Sequence, residues 1–254
     1  MENKVIIKTK GLSRHYKVGK EKIIALDNVD LEIEQGKICC ILGTSGSGKS
    51  TLLNMLAGLE KPTAGTVSIG KYRIDKFSEA ELAKFRQKFT GFVFQSYNLI
   101  PTLTAVENVA LPLVFKGVDK NIREEKAKEM LKLVGLENRA GHKPTEMSGG
   151  QQQRVGIARA FVSDPKVIFA DEPTGNLDSK TTKEVMNLIS KLVHEKNQTM
   201  VLVTHDENVA KYSDIIVRIS DGKIISKEIN VKNETEDNEI TNENKGEWKW
   251  KKEF

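Results

Sequence analysis

Long apolar runs, cysteine and proline are all scarce in these 254 residues. No stretch approaches the roughly 18 uninterrupted apolar residues that a membrane-spanning helix needs, so this polypeptide is not expected to cross a bilayer. The opening residues, Met1 to Gly11, lack an apolar core of signal-peptide length, and no export signal is read in them. The two cysteines, Cys39 and Cys40, are adjacent in an apolar run. Such neighbours cannot staple distant segments, which excludes a disulfide scaffold and suits a reducing compartment. No Lys/Arg-rich run with interleaved aromatics is of the kind that would make nucleic acid the first guess, and nucleic acid is not the expected partner. The formal charge is only +5. Residues 229–254 hold 7 acids and 5 lysines, which leaves an excess of seven positive charges on the rest. An excess of that size suits nucleotide phosphates, anionic lipid or nucleic acid and does not choose among them.

What the chain does have is an alternation of β-prone and helical segments. Residues 5–9, 23–26 and 29–33 are short β-prone runs. Residues 37–42 are continuously apolar, as in a strand buried on both faces. A glycine-rich loop follows, then a helical segment that Gly58 stops, and residues 65–70 return to strand. Ser78 with Glu81 forms a capping box for a helix reaching about Phe89. Residues 91–95 read as strand and 99–104 as loop. Residues 121–134 read as an amphipathic helix with Ile122, Ala127, Met130, Leu131 and Val134 on one face. Residues 166–170 and 199–204 are further buried strands. The pattern predicts an α/β fold with a mostly parallel sheet, interrupted by a largely helical insert over about 85–160. Residues 1–228 are read as one domain, and the polar 229–254 tail has a disordered composition.

The sharpest local signal is Gly43-Thr44-Ser45-Gly46-Ser47-Gly48-Lys49-Ser50, which matches the phosphate-binding pattern GxxxxGK[ST] and lies between a buried strand and a helix. Glycines let backbone N–H groups turn inward around phosphate oxygens, and the helix N-terminus adds a positive dipole end. Lys49 is placed to neutralise the outer phosphates and the Ser50 hydroxyl to bind Mg²⁺. Over a hundred residues later, an apolar strand ends in Asp171 and Glu172. Asp171 is expected to hold Mg²⁺ and Glu172 to act as general base on the attacking water.

Met147-Ser148-Gly149-Gly150-Gln151, followed by Gln152-Gln153-Arg154, resembles the signature motif of ABC-transporter ATPases. Gln95, Asp171-Glu172, Asn176-Leu177-Asp178 and His205 stand in the same order as that family's other markers, and the resemblance spans about residues 4–228. Residues 91–101 and 169–179 look most like the lipoprotein-release and macrolide-export (LolD/MacB-like) branch. Met147 replaces the family's usual leucine, a swap of similar volume.

The resemblance implies a P-loop core, an antiparallel β subdomain and a helical signature subdomain. It implies a head-to-tail homodimer with two ATP molecules sandwiched between the copies. The phosphate loop of one copy (Gly43, Ser45, Gly46, Gly48, Lys49, Ser50 and Thr51) would face Ser148, Gly149, Gly150 and Gln151 of the other. Tyr16 would stack on adenine, Gln95 would join the Mg²⁺ and water network, His205 would contact the γ-phosphate, and Asp178 would cross the interface. A separately encoded membrane permease would receive the stroke, with Leu99, Ile100 and Leu103 as contact candidates. The chain would then sit in the cytoplasm on the inner face of the membrane and serve export or extraction of a drug, peptide or lipoprotein. Two other outputs stay open: an FtsE-like regulatory cassette on an envelope complex, and a soluble cassette acting on nucleic acid. His15, His142 and His194 have no metal-ligand spacing and read as surface or loop residues. Trp248 and Trp250, interleaved with lysines, suggest contact with anionic lipid or a membrane partner.

Overall fold

The computed structural model describes residues 4–230; the Trp248 and Trp250 reading lies outside them. The first half of the chain forms β1 (Val5–Val18), β2 (Glu21–Glu34), β3 (Ile38–Leu42), α1 (Lys49–Leu56), β4 (Ala64–Ile69), β5 (Tyr72–Arg73), α2 (Glu79–Phe89) and β6 (Thr90–Phe94). The second half adds α3 (Ala105–Phe115), α4 (Lys120–Leu133), α5 (Gly149–Phe161), β7 (Val167–Asp171), α6 (Ser179–Glu195), β8 (Thr199–Thr204), α7 (Glu207–Ala210), β9 (Ile215–Ser220) and β10 (Lys223–Ile229).

Two sheets result. One is four-stranded and antiparallel, in the order β2-β1-β4-β5. The other is six-stranded, β10-β9-β3-β8-β7-β6, with every neighbouring pair parallel except the β9–β10 hairpin. The expected α/β architecture with an antiparallel β region and a helical region is thus present. β3 explains its own apolar run. Ile38, Cys40 and Leu42 pack into the core under the helices, while Cys39 and Ile41 pack into the core between the sheets. Both thiols are fully buried, and desolvation pushes that of Cys39 up to about 12. They are packing residues.

Three expectations change in detail. The runs 23–26 and 29–33 are not separate strands but parts of β2, which continues through Asn28. Asn28 takes a left-handed φ of 54° there, and its N–H is satisfied by Ser13 Oγ at 2.9 Å. The irregular register between β1 and β2 absorbs this bulge. Residues 90–94, inside the range read as a helical insert, are the edge strand β6 of the parallel sheet; the helical run begins at Ala105. Ile122 does not join the buried face of α4, which consists of Ala127, Met130 and Leu131. It stands in the first turn, 49% exposed.

Helix ends follow their local chemistry. α2, α3 and α5 each begin with a full capping box: Ser78 with Glu81, Thr104 with Glu107, and Ser148 with Gln151. Asn108, fully buried in α3, ties down the preceding loop: its side chain bonds the N–H and carbonyl of Ile100 and the carbonyls of Leu103 and Thr104. Leu99 packs partly against the helical core and Leu103 is half-buried. Of the three residues offered as permease contacts, only Ile100 is exposed.

Candidate active site

The phosphate-type loop joins the C-terminal end of β3 to α1. Two of its glycines are required by neighbours rather than by flexibility. A Cβ on Gly43 would stand 2.4 Å from the Ile219 carbonyl oxygen, and one on Gly48 2.5 Å from that of Ala25. Gly48 also holds φ at 101°, a conformation L side chains rarely adopt. Because Gly48 is the N-cap, α1 starts with no side-chain cap and no acid in its first turn. Its first N–H groups and dipole end therefore remain available to an anion. Gly46 has nothing within 4 Å of its Cβ position, and Thr44, Ser45 and Gly46 are exposed. Lys49 is 6% exposed, and its ammonium donates to the Thr44 carbonyl at 2.6 Å across the loop. The loop is supported from behind by the β9–β10 turn, where Gly222 N–H donates to the Ser47 carbonyl at 3.0 Å.

Two carboxylates stand next to this cradle. The Ser50 hydroxyl donates to Asp171 Oδ1 at 3.4 Å. Asp171 ends β7 half-buried, and burial, then the adjacent Glu172, push its carboxyl above the ordinary range. A hydroxyl beside a desolvated carboxylate is an oxygen donor set suited to a hard cation such as Mg²⁺. Glu172 would point to the opposite sheet face if the strand simply continued. Instead it adopts a left-handed φ of 44°, held by its own N–H donating to the Val203 carbonyl at 3.0 Å. Its Oε1 then lies 2.9 Å from Nδ1 of His205, an exposed residue just after β8. The chain turn at this strand end is what brings the two acids and His205 into one place.

Gln95 follows β6, whose Phe94 pairs with Asp171. Asn176 Nδ2 donates to the Gln95 carbonyl at 3.0 Å, and Gln95 Nε2 donates to Asn176 Oδ1 at 3.4 Å. Ser148 caps α5 and is exposed; Gln151 N–H donates to its hydroxyl at 3.3 Å, and Ser148 N–H donates to Gln151 Oε1 at 3.1 Å. Gly149 and Gly150 exist because side chains lie against them: their Cβ atoms would meet Tyr97 Oη at 2.9 Å and Thr181 Cγ2 at 2.7 Å. Gln153, buried in the same helix, donates to the Pro173 carbonyl, one residue beyond Glu172. Asp178 caps α6, accepting from Lys180 N–H and Thr181 N–H, both at 3.0 Å, and from the Thr181 hydroxyl at 2.6 Å. The hydroxyl bond, ahead of the backbone ones, keeps its carboxyl below the usual range. Tyr16, half-buried on β1, donates its hydroxyl to Glu60.

The named contacts thus fall into two groups. The phosphate loop is met by Ala25, Asp171, Ile219 and Gly222, whereas the signature segment is met by Tyr97 and Thr181. Sequence reasoning missed the support of both groups. Asp221-Gly222 is a recognisable hairpin-turn pair that could have located the β9–β10 turn. The left-handed pair Tyr97 and Asn98 (φ 59° and 48°) had only the asparagine as a signal. No local pattern foretold that Arg159 would donate to both of their carbonyls, at 2.8 and 2.6 Å.

Residues 26–175 match the ABC transporter family. This chain belongs to that family. The cassette is 50% identical over 223 residues to an uncharacterized ABC transporter ATP-binding protein of Methanocaldococcus jannaschii, MJ0796, an alignment covering 86% of the cassette and 95% of the relative. It is 45% identical over 226 residues to the macrolide export ATP-binding/permease protein MacB of Vibrio parahaemolyticus. That match takes in 89% of the cassette and 34% of the larger protein. Among solved structures, the dimeric post-hydrolysis state of MJ0796 bound to ADP and Pi superposes with a TM-score of 0.83 at 47% identity, covering 89% of the cassette and 99% of that chain. The resemblance to cassette ATPases, MacB-type relatives included, is therefore a family relationship, and the cassette is an ATP-binding transporter ATPase. Among the described residues, no helix is long and apolar enough to cross a membrane.

Proposed function

We propose that two copies of this cassette close on two ATP molecules, hydrolyse them, and drive a separately encoded membrane permease from its cytoplasmic side. The observation that carries the reading is the meeting of Ser50, Asp171, Glu172 and His205 beside an uncapped helix N-terminus. In the proposed site the N–H groups of Gly46 to Thr51 and the Lys49 ammonium hold the β- and γ-phosphates. Ser50, Asp171 and Gln95 would hold Mg²⁺, which supplies charge neutralisation on the phosphate oxygens when bound. Glu172 accepts the proton of the attacking water. His205, with its proton on Nδ1, donates to Glu172 and fixes the carboxylate that takes that proton. Ser148, with the Gly150 N–H and the α5 dipole end, addresses the γ-phosphate of the other copy. Loss of that phosphate then removes contacts that hold the copies together.

A groove supports the permease reading. A cavity of about 620 Å³ opens between α2, β6 and α3, lined by Leu59, Phe92, Phe94, Leu111 and Phe115 among others. Phe115 is 69% exposed and Leu59 49%. Apolar side chains left bare around a concavity suit a partner helix, and these residues replace Leu99 and Leu103 as contact candidates. MacB carries cassette and permease in one protein by its name; here the permease would be another chain, and with it would come the cargo. No nucleic acid is needed in this scheme.

The test is the Glu172→Gln cassette with Mg²⁺ and ATP. It should bind ATP, lose turnover by at least about a hundredfold, and elute as a dimer by light scattering. A permease should co-purify with it from detergent-solubilised native membranes. Wild-type turnover in that variant would sink the general-base assignment, and a ribosome or soluble complex in place of a permease would sink the transport reading.

A further inference from the structure

Tyr16 is held from two directions by residues that belong to none of the motifs. Its hydroxyl donates to Glu60 Oε2 at 2.8 Å. Glu60 Oε1 pairs with the Arg14 guanidinium at 2.6 Å, and that guanidinium lies 4.8 Å from the centre of the Tyr16 ring. A second Arg14 nitrogen donates to the Lys61 carbonyl at 3.0 Å. The contacts close on themselves: hydroxyl to carboxylate, carboxylate to guanidinium, guanidinium to aromatic ring. With side-chain exposures of 26% and 22% for Arg14 and Glu60, the pair is screened less than one on open surface.

The cluster lies one nucleotide's reach from the phosphate loop. Tyr16 pairs with Ile23 across the β1–β2 ladder. Two residues further along β2 is Ala25, the residue whose carbonyl abuts Gly48. Strand spacings therefore set Tyr16 about 5 Å across and about 7 Å along from that carbonyl. Glu60 is anchored to the other side of the same unit. It follows α1, the helix that carries Lys49 and Ser50, and its N–H donates to the Asn54 carbonyl within that helix at 3.3 Å. The hydroxyl of Tyr16 is thus tied to the element that binds phosphate. Arg14 lies over one face of the ring, and the stacking read for Tyr16 would use the other. A tyrosine fixed in one rotamer before its ligand arrives loses less entropy on stacking.

We propose that Glu60 and Arg14 are positioning residues for the nucleobase, locking the Tyr16 ring in the orientation that stacks on it. The proposal rests on the reading of Tyr16 as the base-stacking residue. Its test separates base from phosphate by titrating the cassette with Mg²⁺-ATP and, separately, with inorganic tripolyphosphate in a calorimeter. Tyr16→Ala should weaken ATP about tenfold and leave tripolyphosphate unchanged. Glu60→Ala and Tyr16→Phe, which keep the ring but cut the lock, should each weaken ATP about threefold, again with tripolyphosphate unchanged. Combining those two changes should weaken ATP no further than Glu60→Ala alone, because that change already removes the Tyr16 hydroxyl bond. Wild-type ATP affinity in Glu60→Ala alongside a deficit in Tyr16→Ala overturns the positioning role and keeps the stacking. Equal weakening of ATP and tripolyphosphate in Glu60→Ala shows a general structural effect and overturns it too. Wild-type ATP affinity in Tyr16→Ala removes the stacking itself, and the proposal with it.

Discussion

At the scale of single residues, this site spends conformational stability on geometry. Glu172 is a non-glycine residue at φ 44°, a conformation costing on the order of 1 kcal/mol or more. The strain has a visible return: it swings the carboxylate off the strand's alternation and onto His205. Replacing Glu172 by glycine should therefore stabilise the cassette by about 1 kcal/mol, or about 2–4 °C in melting temperature, while turnover disappears. A melting curve and a phosphate-release assay on the same sample would check both halves. A melting temperature below wild type would show that the His205 contact outweighs the strain. The identity of the acids was plain in the sequence, because an apolar strand ending in Asp-Glu announces itself. The sign of φ was not, since nothing in the local composition around Pro173 demands it.

Elements carry the coupling between these residues. The Gln95 loop is fastened at three points: to Asn176 by paired amide bonds, to the signature segment by Tyr97 lying against Gly149, and to α5 by Arg159. Burial pushes the Arg159 guanidinium below its usual range, yet its two bonds to the Tyr97 and Asn98 carbonyls satisfy it. They also stabilise two successive left-handed residues that a free loop would relax. Arg159→Met should release both carbonyls and let Gln95 wander. The expected outcome is a fall in kcat of about tenfold, with the dissociation constant for ATP measured without Mg²⁺ unchanged, because the phosphate loop and Tyr16 are untouched. A matched rise in that constant would place the damage in the phosphate loop instead. At this scale the start of α2 was readable from its capping box at Ser78. The β2 bulge at Asn28 and the exposure of Ile122 were not, because each depends on what packs alongside. Neither the strand partner nor the helix neighbours of those residues are adjacent to them in sequence.

For the whole molecule, the question is whether one copy can work alone. The phosphate loop and the signature segment are each well built, yet the contacts of Ser148, Gly149 and Gly150 are to Gln151, Tyr97 and Thr181, on the helical side. The α5 N-terminus is exposed at Ser148 with its dipole end unanswered by any acid in its first turn. This was legible in the sequence only through the resemblance to a family, since a motif string says nothing about which copy's ligand it addresses. Complementation decides it. Lys49→Ala and Ser148→Arg should each inactivate a homodimer. Mixed in equal amounts, half of the dimers would be hybrids. In each hybrid, one site would combine the intact Lys49 of the Ser148→Arg copy with the intact Ser148 of the Lys49→Ala copy. ATPase activity should then reappear at up to about a quarter of wild type, the share set by two-fold symmetry. Sites made within single chains would give no recovery at any mixing ratio, because every chain in the mixture carries one lesion.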